Sequence, residues 1–117
     1  MDFYIKKGST LPILKLELIN DGRTDYGKFY EDLQNSTITF SMRNNETKAL
    51  KIGNKTASTY LLNNNLDNEE YLIGYQFTEK DTNTVGIYEG NFTIVFNNNQ
   101  GTLEMPIQDK LYIHVVD

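Results

Sequence analysis

The chain has 117 residues, 11 Lys+Arg against 16 Asp+Glu for a formal net charge of −5, and no cysteine. That length suits one domain, residues 1–117, whose core needs neither metal nor disulfide. The scattered basic residues exclude a nucleic-acid face, which needs clustered positive charge, and the missing cysteines exclude a disulfide scaffold or a thiolate metal site.

From the N-terminus, Asp2 to Lys6 reads as a short strand. Met1 to Lys7 lacks the basic start and long apolar stretch of a secretory signal, and no apolar run approaches the ~18 residues of a membrane span. The expectation is a chain made in a cytoplasm, with no membrane partner. Pro12 to Ile19 alternates, with Leu14, Leu16 and Leu18 on one face, and Asn20-Asp21-Gly22 ends it with turn chemistry. Residues 21–35 read as a crossing loop with one helical turn around Tyr26 to Leu33. Thr37 to Arg43 then alternates cleanly, placing Ile38, Phe40 and Met42 inward. Shorter strands are expected over Lys48 to Ile52 and Ala57 to Leu62.

Glu70 to Phe77 places Tyr71, Ile73, Tyr75 and Phe77 on one face, and Glu79 to Thr84 is a loop by composition. The longest strand, Ile87 to Phe96, turns Tyr88, Gly90, Phe92, Ile94 and Phe96 inward. Asn97 to Gly101 is a hairpin signal. Leu103 and Met105 begin the return, and Leu111 to Val116 points Leu111, Ile113 and Val115 to the core. Seven to eight short strands separated by turns predict an all-β, immunoglobulin-like antiparallel sandwich without a disulfide. Pro12 and Pro106 fall where a missing N–H costs little.

Gly86 and Tyr88 at the start of the longest strand match a tyrosine corner, in which the phenol bonds back to loop backbone. Gly90 occupies the place where antibody domains carry a cysteine. Three blocks extend this pattern: Phe3-Tyr4-Ile5-Lys6-Lys7-Gly8-Ser9-Thr10-Leu11-Pro12, Asp32-Leu33-Gln34-Asn35-Ser36-Thr37-Ile38-Thr39-Phe40-Ser41-Met42-Arg43-Asn44, and Asp81-Thr82 with Gly86-Ile87-Tyr88-Glu89-Gly90-Asn91-Phe92. In order and spacing the chain resembles the immunoglobulin-like N-terminal domain of phage baseplate upper proteins. Asn35-Ser36 departs from that family's Gly-Ala turn, and residues 21–31 are longer than its short hairpin.

The resemblance implies a virion structural module that docks one phage component onto another. Such a module would sit in a baseplate or tail, or on the head as a decoration or head-fibre component. The implied partners are capsid or tail proteins, or further copies of the chain, and the implied location is the virion.

No catalytic, cofactor or metal set is read. His114 is the only histidine, so no zinc set can be completed. Asp21-Gly22-Arg23-Thr24-Asp25 lacks the alternating oxygen ligands of a calcium loop. Glu31-Asp32 and Glu69-Glu70 read as solvated loop charges, and no phosphate loop, Gly-x-Ser-x-Gly or HExxH occurs. The four sequons at Asn35, Asn45, Asn54 and Asn91 read as accidents of an Asn- and Thr-rich sequence.

The candidate interface is instead the outward side of the last strands. Ile87, Val95, Tyr112 and Val116 are expected to form an apolar patch for a partner, unless the loop at 21–35 folds over them. Phe3 and Tyr4, on the short first strand, offer a second route by strand addition at an edge. The rival from another class is a carbohydrate- or host-receptor-binding module, for which several exposed tyrosines clustered at one end of the sandwich would speak.

Overall fold

A computed structural model describes residues 1–17, 32–65, 68–97 and 101–117. Its strands are β1 (Asp2–Lys6), β2 (Leu14–Glu17), β3 (Thr37–Asn44), β4 (Leu50–Thr56), β5 (Ser58–Asn65), β6 (Asn68–Tyr75), β7 (Gly86–Phe96), β8 (Gly101–Met105) and β9 (Leu111–Val116). They form two sheets. The larger has the order β1-β9-β7-β3-β4, with β8 also paired to β7, and the smaller has the order β2-β6-β5. This is an all-β, immunoglobulin-like sandwich in which the first strand joins the sheet of the last one.

Two details differ from the sequence expectation. The strand count among the described residues is nine, because the closing strand is broken: β8 pairs with β7 from Phe92 to Phe96, β9 pairs with it from Gly86 to Gly90, and residues 106–110 bulge between them. Pro106 has no N–H for the ladder, so pairing stops beside it. The sheet is also not wholly antiparallel, since β1 runs parallel to β9. The two strands lie far apart in the sequence, so no hairpin forces them to oppose.

The alternation read from the sequence becomes the core. Ile38, Phe40 and Met42 from β3, Tyr88, Phe92 and Ile94 from β7, and Leu111, Ile113 and Val115 from β9 are buried against Leu14, Leu16, Ile73, Tyr75 and Phe77. Phe96 is half-buried at the margin of this core. Leu33 is buried in the helical turn at 32–34, while the rest of the expected crossing loop and Leu18 lie outside the described residues. β4 runs on to Thr56, past the end expected at Ile52. Asn54 sits at φ 46° within the strand, a left-handed value that Asn tolerates.

Where an antibody domain has its disulfide, Phe40 fills the space. A Cβ on Gly90 would lie 2.6 Å from Ile113 Cδ1 and 2.9 Å from Phe40 Cζ. The Phe40 ring stacks on Tyr75 at 4.8 Å, meets Phe92 at 4.8 Å and meets Phe77 edge-on at 5.8 Å. One aromatic side chain thus joins both sheets, and fully burying a ring of this size contributes roughly 1.5–3 kcal/mol.

Candidate docking surface

The loop after β6 fixes how β7 enters the larger sheet. Asp81 is only 3% exposed, yet its carboxylate is well partnered. It accepts hydrogen bonds from the Tyr75 hydroxyl at 2.7 Å, the Thr78 N–H at 2.9 Å and Lys55 Nζ at 3.2 Å. Burial pushes this carboxyl up, but the Thr78, Tyr75 and Lys55 hydrogen bonds outweigh it and hold the group below its ordinary value. Tyr75 moves the other way: burial, reinforced by the Asp81 carboxylate, pushes its hydroxyl well above the ordinary value.

Next in the chain, the Thr82 carbonyl accepts from the Gly8 N–H at 2.9 Å, and the Thr82 hydroxyl donates to the Ser9 carbonyl at 2.9 Å. These bonds tie the turn after β1 to the same corner. Tyr88 donates its hydroxyl to the Thr84 carbonyl at 2.9 Å, the back-bond of a tyrosine corner, and burial raises its pKa. Gly86 is not sterically required there. An added Cβ would meet the Tyr88 ring at an ordinary 3.6 Å, and the backbone is not left-handed.

With β7 and β9 held in this way, register decides which outward side chains meet. Ile87 lies opposite His114, and His114 lies opposite Tyr4. Tyr4, His114 and Ile87 therefore form one row across three strands, with neighbours about 4.8 Å apart. The Tyr4 and His114 rings stack at 4.4 Å, and His114 Nε2 lies 2.8 Å from the Asp2 carboxylate. Val116 extends the cluster along β9. Tyr4, Ile87 and Val116 are 59%, 45% and 37% exposed, and Val85 just before β7 is exposed as well.

Of the six residues expected at an interface, four reach this area: Tyr4, Ile87, Tyr112 and Val116. Tyr112 is half-buried, in the adjoining row with Asp2 and Glu89. The other two do not. Val95 shares the face by parity and is 46% exposed, but it stands eight residues along β7 from Ile87, roughly 27 Å away. Its neighbours across the sheet are Thr37 and Thr102, and Glu89, Asn91 and Thr93 lie between the two ends. Phe3 points to the core side, half-buried, and stacks on Phe77 at 5.9 Å. As for a covering loop, residues 18–31 lie outside the described residues.

Among the described residues there is no group of three or more His, Cys, Asp or Glu placed to hold a metal ion. Among the tyrosines whose side chains are described, Tyr4 alone is exposed. Tyr60 and Tyr112 are half-buried, and Tyr75 and Tyr88 belong to the core. Tyr60 also carries Lys15 Nζ 4.9 Å from its ring centroid. Among the described residues, no helix is long and apolar enough to cross a membrane. Compared with protein-family models, with curated proteins and with solved structures, the chain matches none.

Proposed function

We propose that the chain is a non-enzymatic structural protein of a bacteriophage virion, a docking module that joins other virion proteins in the tail or baseplate or on the head. The docking part of this reading is carried by the exposed cluster of Tyr4, Ile87 and Val116 around His114. Such a cluster, rimmed by Asp2, Lys6 and Glu89, has the composition of an interface centre with a polar margin. The virion part rests on the resemblance of the three sequence blocks. They fall on β1 with its turn, on β3 with the helical turn before it, and on the corner that leads into β7. The first and third meet through the Gly8–Thr82 hydrogen bond, and β3 pairs with β7.

The alternative is a carbohydrate- or host-receptor-binding module, for which a cluster of exposed tyrosines would speak; among the tyrosines whose side chains are described, Tyr4 alone is exposed. Co-sedimentation of the purified chain with capsid and tail proteins of one phage tests the proposal. Binding that Ile87→Asp abolishes, in a variant that stays folded, supports it. A chain that ignores every virion protein but binds glycans would replace this reading with receptor recognition.

A further inference from the structure

Among the described residues the larger sheet has three strands paired on one side only, β1, β4 and the short β8, and the two at its ends differ in regularity. β4 is paired to β3 with register shifts and carries the left-handed Asn54, features that spoil an edge for further pairing. β1 pairs with β9 over all five residues without a break. The Met1 carbonyl accepts from the Tyr112 N–H at 2.8 Å, and the Lys7 N–H donates to the Val116 carbonyl at 2.7 Å. Backbone groups alternate along a strand, so the odd-numbered residues turn their peptide groups to β9. Asp2, Tyr4 and Lys6 turn theirs out of the sheet. Of these outward groups, the Lys6 carbonyl accepts from the Ser9 N–H at 2.9 Å in the following turn.

The sequence of this edge is complementary to its own reverse. Laid antiparallel on itself about Tyr4, the strand sets Asp2 against Lys6 at both ends, Phe3 against Ile5 on the core side, and Tyr4 against Tyr4 on the outer side. In that register Tyr4 exchanges both backbone bonds with its copy, and each Lys6 N–H reaches the Asp2 carbonyl of the other copy. A shift of two residues sets Asp2 against Tyr4 and loses the charge matches. A shift of one residue opposes outward groups to side-directed ones and loses the hydrogen bonds.

We propose that a second copy of this chain adds to the β1 edge in this register, giving a twofold dimer with one sheet continuous through both copies. The outer cluster around His114 then lies beside its symmetry mate along a single face. This inference stands on the edge geometry and charge order of β1 and does not depend on the virion reading.

Sedimentation of the full chain without an N-terminal tag, over a concentration series, tests it. The mass should rise from 13.5 kDa toward twice that value. Lys6→Asp sets acid against Asp2 at both symmetric positions, so dimerisation should weaken on the order of tenfold or more. Asp2→Lys combined with Lys6→Asp restores the match and should restore the dimer. Both positions are exposed, so the variants should stay folded. Tyr4→Pro removes an outward N–H while sparing the ladder to β9, and it should give a monomer. A wild-type chain that stays at 13.5 kDa at every concentration overturns the proposal. So does a dimer that is indifferent to Lys6→Asp or is not rescued by the double swap.

Discussion

Two joints hold the sheets of this sandwich together, and they work by different physics. At the centre, Phe40 bridges β3 to Tyr75 and Phe77 and fills the space above Gly90, so the joint depends on volume and shape. At the corner, Asp81 gathers Tyr75, Thr78 and Lys55, and Tyr88 bonds back to Thr84, so that joint depends on direction and protonation. The central joint sets how closely the sheets pack. The corner sets where β7 enters, and hence which outward residues stand opposite β9. A chain without cysteine can divide the task in this way, one joint for stability and one for register.

Cutting the central joint should have the largest effect. Phe40→Ala removes a fully buried ring shared by both sheets and should cost about 3–5 kcal/mol in chemical denaturation. A loss under ~1 kcal/mol would mean the core refills around the gap and the joint is not central.

At the corner, Asp81→Ala should cost about 2–4 kcal/mol, because it strands the Tyr75 hydroxyl and the Thr78 N–H. The Lys55 ion pair adds little to that figure, since the lysine side chain is 50% exposed and such pairs contribute ~1 kcal/mol or less. The Asp81 pKa is lowered in the fold, so the unfolded chain binds the proton more readily. Stability from this group is therefore fully present above the ordinary value of 3.8 and is lost as pH falls through the lower folded value. Denaturant midpoints measured downward from pH 5 should fall less steeply in Asp81→Asn than in the wild type. Equal slopes would remove Asp81 as the acid-sensitive element.

Smaller effects sharpen the contrast. Gly90→Ala forces a Cβ into Ile113 and Phe40 and should cost about 1–3 kcal/mol through overpacking, with no change in pH dependence. Tyr88→Phe keeps the ring and loses one bond to Thr84, for about 0.5–1.5 kcal/mol. Its sharper readout is exchange of backbone amides at the start of β7, which should quicken there and not at Phe92. Uniform quickening along the strand would mean that the corner does not set register.

The core was legible because alternation reports it directly: Ile38, Phe40 and Met42, or Leu111, Ile113 and Val115, can face only one way once a strand forms. Tyr88 was legible as a corner from its place beside the loop. Face, however, is not neighbourhood. Parity put Ile87 and Val95 together, and only cross-strand register separates them. Which side of β1 carries Phe3 and which carries Tyr4 is settled only by pairing, because the direction of a five-residue edge strand shows through its parallel partner β9. Asp81 left no periodic signal at all. In a polar loop a buried carboxylate reads like a solvated one until its donors are seen around it.

The proposed docking surface lies at the Ile87 end of the outer face and excludes the Val95 end. Binding of Ile87→Asp and Val95→Asp to capsid and tail proteins, measured side by side with thermal melts, tests it directly. Both positions are exposed, so both variants should melt near the wild type. Ile87→Asp should lose binding and Val95→Asp should keep it. Retained binding in Ile87→Asp, or loss in Val95→Asp alone, would contradict that placement.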